Sequence, residues 1–182
     1  MLSMPQFRIF THLTAMIIYL SSAAVLASAN TALSQAWVAN ESRTPQGLHA
    51  LTLSVQQHEF ALQMSCDESG QETGQLKIMF FGPSLPRLYG TDGQTETLLL
   101  HFGQVAKTTS PFVWEAYYFD GGAGDQAWIG DITAPTGFLH EFSEASEIDI
   151  LNSDLDLIYR FPAKGTALGV NDIWKVCGIS AD

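Results

Sequence analysis

The chain has 182 residues, with 19 Asp and Glu against 8 Lys and Arg, and a formal net charge of -11 at pH 7. The basic residues stand singly, so there is no basic face of the kind that binding to nucleic acid or an anionic membrane depends on. Hydrophobic residues make up 46% of the chain, enough for one domain with a real core.

In chain order, residues 1–29 carry the three parts of an export signal. Arg8 is the only charged side chain before Glu41, Leu13 to Ala27 is almost wholly apolar, and Ala27-Ser28-Ala29 supplies small residues before Asn30. A second small-residue site, Ser34-Gln35-Ala36, is the other place for the cut. A spanning helix needs about 20 apolar residues, more than this run offers, so cleavage is expected and a retained anchor is the alternative. The expected location is the periplasm or another secreted compartment, with no stable membrane insertion once the signal is removed.

Residues 30–47 are small and polar and read as a flexible lead-in; residues 48–182 read as a single domain. Leu51, Leu53 and Val55 alternate with Thr52 and Ser54, which predicts a strand over 48–55. Phe60, Leu62, Met64 and Cys66 repeat the pattern, with Gln56-Gln57 as the connection between the two strands. Further strands are predicted over 75–81, 95–102, 112–119, 127–132, 147–151 and 157–161. Gly82-Pro83 ends the first of these, because proline lacks the donor that a ladder needs. Gly137 to Ser146 predicts a short helix, and Thr166 is placed to cap a second helix over 167–176 that ends at Gly178. The fold class is mainly β, an antiparallel β-sandwich or a curved open barrel, with a short C-terminal helix.

Cys66 and Cys177 are the only cysteines. An even count in an oxidising compartment reads as one disulfide, the alternative being two buried thiols. Closing so long a loop would stabilise the fold by up to about 4.7 kcal/mol in the chain-entropy account.

No residue pattern assigns a catalytic, cofactor-binding or metal role. His49, His58, His101 and His140 lack metal-ligand spacing, and neither a G-x-S-x-G elbow nor a phosphate-cradling glycine loop occurs. Glu141, Glu144, Glu147, Asp149, Asp154 and Asp156 read as a solvated acidic surface. The stronger signal is aromatic: Phe112, Trp114, Tyr117, Tyr118 and Trp128, with Phe119, crowd the flanks of the Gly-rich loop Asp120 to Asp125. A break in register near Glu115-Ala116 would put rings on both faces, and these residues are expected to form a partner surface as well as core.

The closing run F-P-A-K-G-T-A-L-G-V-N-D-I-W-K-V-C-G, Phe161 to Gly178, together with L-Q-M-S-C, Leu62 to Cys66, resembles small secreted bacterial proteins of the type VI secretion-associated VasI group. The resemblance implies a terminal helix whose Cys bonds to an early strand, and it carries no catalytic residue. The function expected is that of a non-enzymatic periplasmic accessory or protein-binding domain with an envelope or secreted protein as partner. The alternatives are a carboxylate-dependent cell-envelope glycan hydrolase and a purely structural secreted domain.

Overall fold

Alternation of apolar and polar residues produces a single curved antiparallel sheet in the computed structural model, which describes residues 36–70, 74–105, 109–122 and 126–179. The segment read as an export signal lies outside these residues. Nine strands are present among them: β1 (Val38–Arg43), β2 (His49–Gln57), β3 (Phe60–Asp67), β4 (Gln75–Phe81), β5 (Thr95–Gly103), β6 (Phe112–Asp120), β7 (Gln126–Thr133), β8 (Glu147–Leu151) and β9 (Leu157–Pro162). Two helices follow the same chain order, α1 (Phe138–Glu144) before β8 and α2 (Thr166–Cys177) after β9.

The spatial order is β1-β2-β3-β4-β7-β6-β5-β8-β9, every neighbouring pair antiparallel. A long connection after β4 lets β5, β6 and β7 return to β4 as a Greek key. The sheet bends into a half-barrel, so of the two architectures expected it is the curved open barrel and not the sandwich. The two ends of the sheet approach each other: the Trp37 N–H, just before β1, donates to the Lys164 carbonyl, just after β9, at 2.8 Å, and the Tyr159 hydroxyl of β9 donates to the Gln57 carbonyl of β2 at 3.1 Å.

The concave face is the core. Leu51, Leu53 and Val55 of β2, Leu62 and Met64 of β3, and Leu76 and Ile78 of β4 all point inward. Phe102 packs against Phe112, Phe138 and Phe142 with ring centroids 5.3, 5.1 and 5.5 Å apart, which seats α1 against the core. Gly130 is a packing glycine. A Cβ there would lie 2.4 Å from the Trp114 indole nitrogen and 2.1 Å from the Glu115 carbonyl oxygen, so only glycine lets β7 pass beside the buried Trp114.

Cys66 and Cys177 form the disulfide, with their Cα atoms 5.6 Å apart, and tie α2 to β3. Gly178 takes the left-handed conformation at φ 62° that ends α2. Three local expectations are corrected. Residues 38–43 of the supposed lead-in form β1, whose side chains are all exposed, and Trp37 before it is buried; backbone pairing to β2, not alternation, creates this strand. Gln56 and Gln57 belong to β2, and the turn is His58-Glu59, with His58 at φ 56°. Thr166 does not cap α2: left-handed Gly165 holds that position, and the Thr166 hydroxyl donates to the Ala163 carbonyl at 2.9 Å.

Candidate functional site

Strand β6 decides which aromatic side chains meet solvent. It alternates without a break, so the register shift expected near Glu115-Ala116 does not occur. Trp114, Ala116 and Tyr118 face the core, while Val113, Glu115, Tyr117 and Phe119 face out. Trp114 is 0% exposed and Tyr118 3%, and Trp128 of β7 is buried beside Tyr118 at a ring-centroid distance of 5.2 Å. Phe112 is half-buried against Phe102 and Phe138. Four of the five residues expected at a partner surface, Phe112, Trp114, Tyr118 and Trp128, therefore serve the interior. A ring enclosed by the core cannot touch a partner unless the domain opens. Tyr117 alone of the five lies on the outer face.

The outer face brings other apolar side chains together. Pairing places Tyr117, Ile129 and Met79 in one row across β6, β7 and β4, and Phe119, Ala127, Phe81 and Ala61 in the next row, which extends to β3. Side chains opposite each other on adjacent strands stand about 5 Å apart, so the two rows form one continuous apolar patch. Tyr117 and Phe119 are each 45% exposed, and Val113, further along β6, is 61% exposed. Met79, Phe81 and Ile129 were not singled out from sequence. Their common signal is a parity opposite to that of the large buried side chains on their own strands, Leu76, Ile78 and Phe80 of β4 and Trp128 and Ile132 of β7.

The rest of the outer face over β2, β3 and β4 is polar, with Thr52, Ser54, Gln63, Ser65 and Lys77 in corresponding positions. A depression of about 330 Å3 lies there, lined in part by Ser65, Asp67, Ser69, Gln75, Lys77 and Asp131. Its carboxylates are engaged. Asp67 accepts bonds from the Ser69 amide and hydroxyl, and Asp131 lies 3.9 Å from the Lys77 ammonium.

A third cluster follows from one cross-strand row, His101 of β5 beside Asp149 of β8 beside Arg160 of β9. Arg160 grips Asp149 bidentately, Nε to Oδ1 at 2.7 Å and Nη2 to Oδ2 at 2.9 Å, and its Nη1 lies 2.9 Å from Glu147. The hydrogen bond to Asp149 raises the Arg160 pKa; partial burial opposes the rise, and the charges of Asp149 and Glu147 add to it. Asp149 is 4% exposed, which corrects the sequence reading of this carboxylate as solvated surface. His101 Nδ1 lies 3.6 Å from Asp149, and His101 Nε2 is 3.1 Å from the Thr109 hydroxyl.

Hydroxyl, imidazole and carboxylate in series have the composition of a nucleophilic triad, but the hydrogen bonding runs the wrong way. Thr109 donates its proton to the Phe102 carbonyl at 2.6 Å, whereas a nucleophile must direct it to the imidazole. Thr109 is also buried. The cluster binds β5, β8 and β9 together. Among the described residues, no group of three His, Cys, Asp or Glu side chains is placed to hold a metal ion, and no helix is long and apolar enough to cross a membrane.

Compared with protein-family models, curated proteins and solved structures, the chain matches none.

Proposed function

We propose that the protein is a non-enzymatic, extracytoplasmic domain that binds a protein partner through the apolar end of its outer face. The observation that carries this reading is the two-row patch of Tyr117, Phe119, Ile129, Met79, Phe81 and Ala61, set beside the polar part of the outer face over β2, β3 and β4. Exposed apolar area of this kind is retained at interaction sites, where aromatic anchors supply much of the affinity. The core side chains, with Phe138, Leu139 and Phe142 of α1 among them, pack together on the concave side, which favours binding on the outer face over binding within the barrel. The periplasmic assignment rests on the export signal and on the resemblance of the Phe161 to Gly178 segment to the VasI group.

Photo-crosslinking in the native envelope tests the reading. A photoreactive residue replacing Tyr117 or Phe119 is expected to trap one and the same protein, and the same probe at Thr52 on the polar part of the face is expected to trap none. A Tyr117→Ser, Phe119→Ser double variant that keeps its fold should lose that partner. Equal adducts from all three positions, or none from Tyr117 and Phe119, would reject it.

A further inference from the structure

We propose that the partner presents a basic extended segment along β6, with a Lys or Arg at Glu115 and apolar side chains over Val113 on one side and Tyr117 and Phe119 on the other. This rests on the partner-binding reading above and adds the chemistry of the occupant. The four outward positions of β6 read apolar, acidic, apolar, apolar. Alternate residues of a strand are about 7 Å apart, so the complement is a cation flanked by apolar groups at that spacing. β6 lies between two strands, paired with β5 over residues 112–117 and with β7 over residues 117–120, so the partner is assigned to the side chains of its outer face.

The charges on and around this strip point the same way. The Glu115 carboxylate is exposed and is held by the Thr97 hydroxyl at 2.9 and 3.1 Å, a neutral partner that fixes its position and leaves its charge intact. Asp120 ends the strand and accepts from the Gly122 amide at 3.0 Å, and Asp92 accepts from the Asp120 amide at 3.1 Å. Among the described residues, no cation pairs with Glu115, Asp120 or Asp92. Lys77 does face Asp131 nearby, but at 3.9 Å with both side chains about half exposed, a weak pairing. Cations are also attracted to the faces of exposed rings such as Tyr117 and Phe119. A second copy of this chain would bring like carboxylates together, and an anionic lipid surface would be repelled for the same reason.

The test is an NMR titration of the full chain, disulfide intact, with the synthetic peptide Leu-Thr-Arg-Thr-Leu-Thr-Leu and with a control in which Glu replaces Arg. The Arg peptide should give saturable shifts centred on residues 113–119, and the Glu peptide should bind at least about tenfold more weakly. Glu115→Gln, which keeps the bond to Thr97, should weaken the Arg peptide about fivefold, and so should about 0.5 M salt. Asp154→Asn, which removes one exposed charge from the distant β8-β9 turn, should leave binding unchanged. Equal binding of the two peptides, equal effects of Glu115→Gln and Asp154→Asn, or the absence of saturable shifts would overturn the assignment. The two proposals can fail separately. If the crosslinked partner requires Tyr117 and Phe119 but tolerates Glu115→Gln, the interface stands and the basic segment falls; if it requires none of the three, both fall.

Discussion

Tyr118 and Tyr117 are adjacent residues of the same type on one strand, yet one is 3% and the other 45% exposed. The inner face of β6, with Trp114 and Tyr118, packs into the core, while the outer face, with Tyr117 and Phe119, leaves rings in water. Aromatic content therefore does not reveal a binding surface here. Parity against the sheet separates the enclosed rings from the exposed ones, because a strand commits alternate side chains to opposite environments. Removing the inner rings should damage the fold, and removing the outer ones should damage recognition.

The largest effect is expected from Trp114→Ala. The indole is fully buried beside Gly130, so the truncation leaves a cavity and should cost about 3–5 kcal/mol, read as a lowered denaturant midpoint. A cost below about 1 kcal/mol would mean that the two faces of β6 are not divided as described.

Asp149→Asn probes the exception to that division, a buried carboxylate on the outer face. Loss of the charge weakens the bidentate grip of Arg160 and leaves the guanidinium with Glu147 alone. Severing a fully buried pair costs about 3–5 kcal/mol, but the Arg160 side chain is 49% exposed, and solvent screening reduces the expected loss to about 1–2 kcal/mol. Urea unfolding of the variant measures it. A neutral outcome would show that backbone pairing alone holds β8 to β9.

The limits of the sequence reading follow the same division between local and long-range order. Eight strands and both helices were legible because period-two and helical patterns are local, and the Cys pair was legible from its count. Strand β1 was not, because Val38-Ala39-Asn40-Glu41-Ser42-Arg43 has no apolar side to signal it and forms by pairing with β2. The apolar patch was only partly legible. Unbroken alternation sets Tyr117 and Phe119 opposite Trp114 and Tyr118, but which side meets solvent is decided by the assembled sheet, and their union with Ile129, Met79 and Phe81 depends on β7 lying between β6 and β4, a result of the Greek-key crossover. The row of His101, Asp149 and Arg160 was hidden for the same reason, since β5 meets β8 only in the assembled sheet.

Alkaline pH should show a smaller effect at the seam between the sheet edges. Burial, with the charge of Glu59 as a lesser cause, raises the Tyr159 pKa above its ordinary value near 10. The folded state thus holds the phenolic proton more tightly than the unfolded chain does. Stability from this group is complete below about pH 10, and it is lost as pH rises through the higher folded-state value. Denaturant midpoints should fall more steeply with pH in the parent protein than in Tyr159→Phe, which lacks the titrating group. Parallel curves would remove Tyr159 as a source of the dependence.

The smallest change in stability is expected from Phe119→Ser, and that small size gives the comparison its force. The ring is nearly half exposed, and its neighbours Ala127, Phe81 and Ala61 remain in place across β7, β4 and β3. Unfolding free energy should shift by no more than about 0.5 kcal/mol, as for surface substitutions that leave caps, cavities and buried pairs untouched. Calorimetry of the oxidised protein checks this. If the midpoint holds while the crosslinked partner is lost, the outer ring serves recognition, since a folding defect would move both quantities. If the midpoint drops as it does in Trp114→Ala, the outer row is part of the core's support, and the apolar face has a structural reason to exist without any partner.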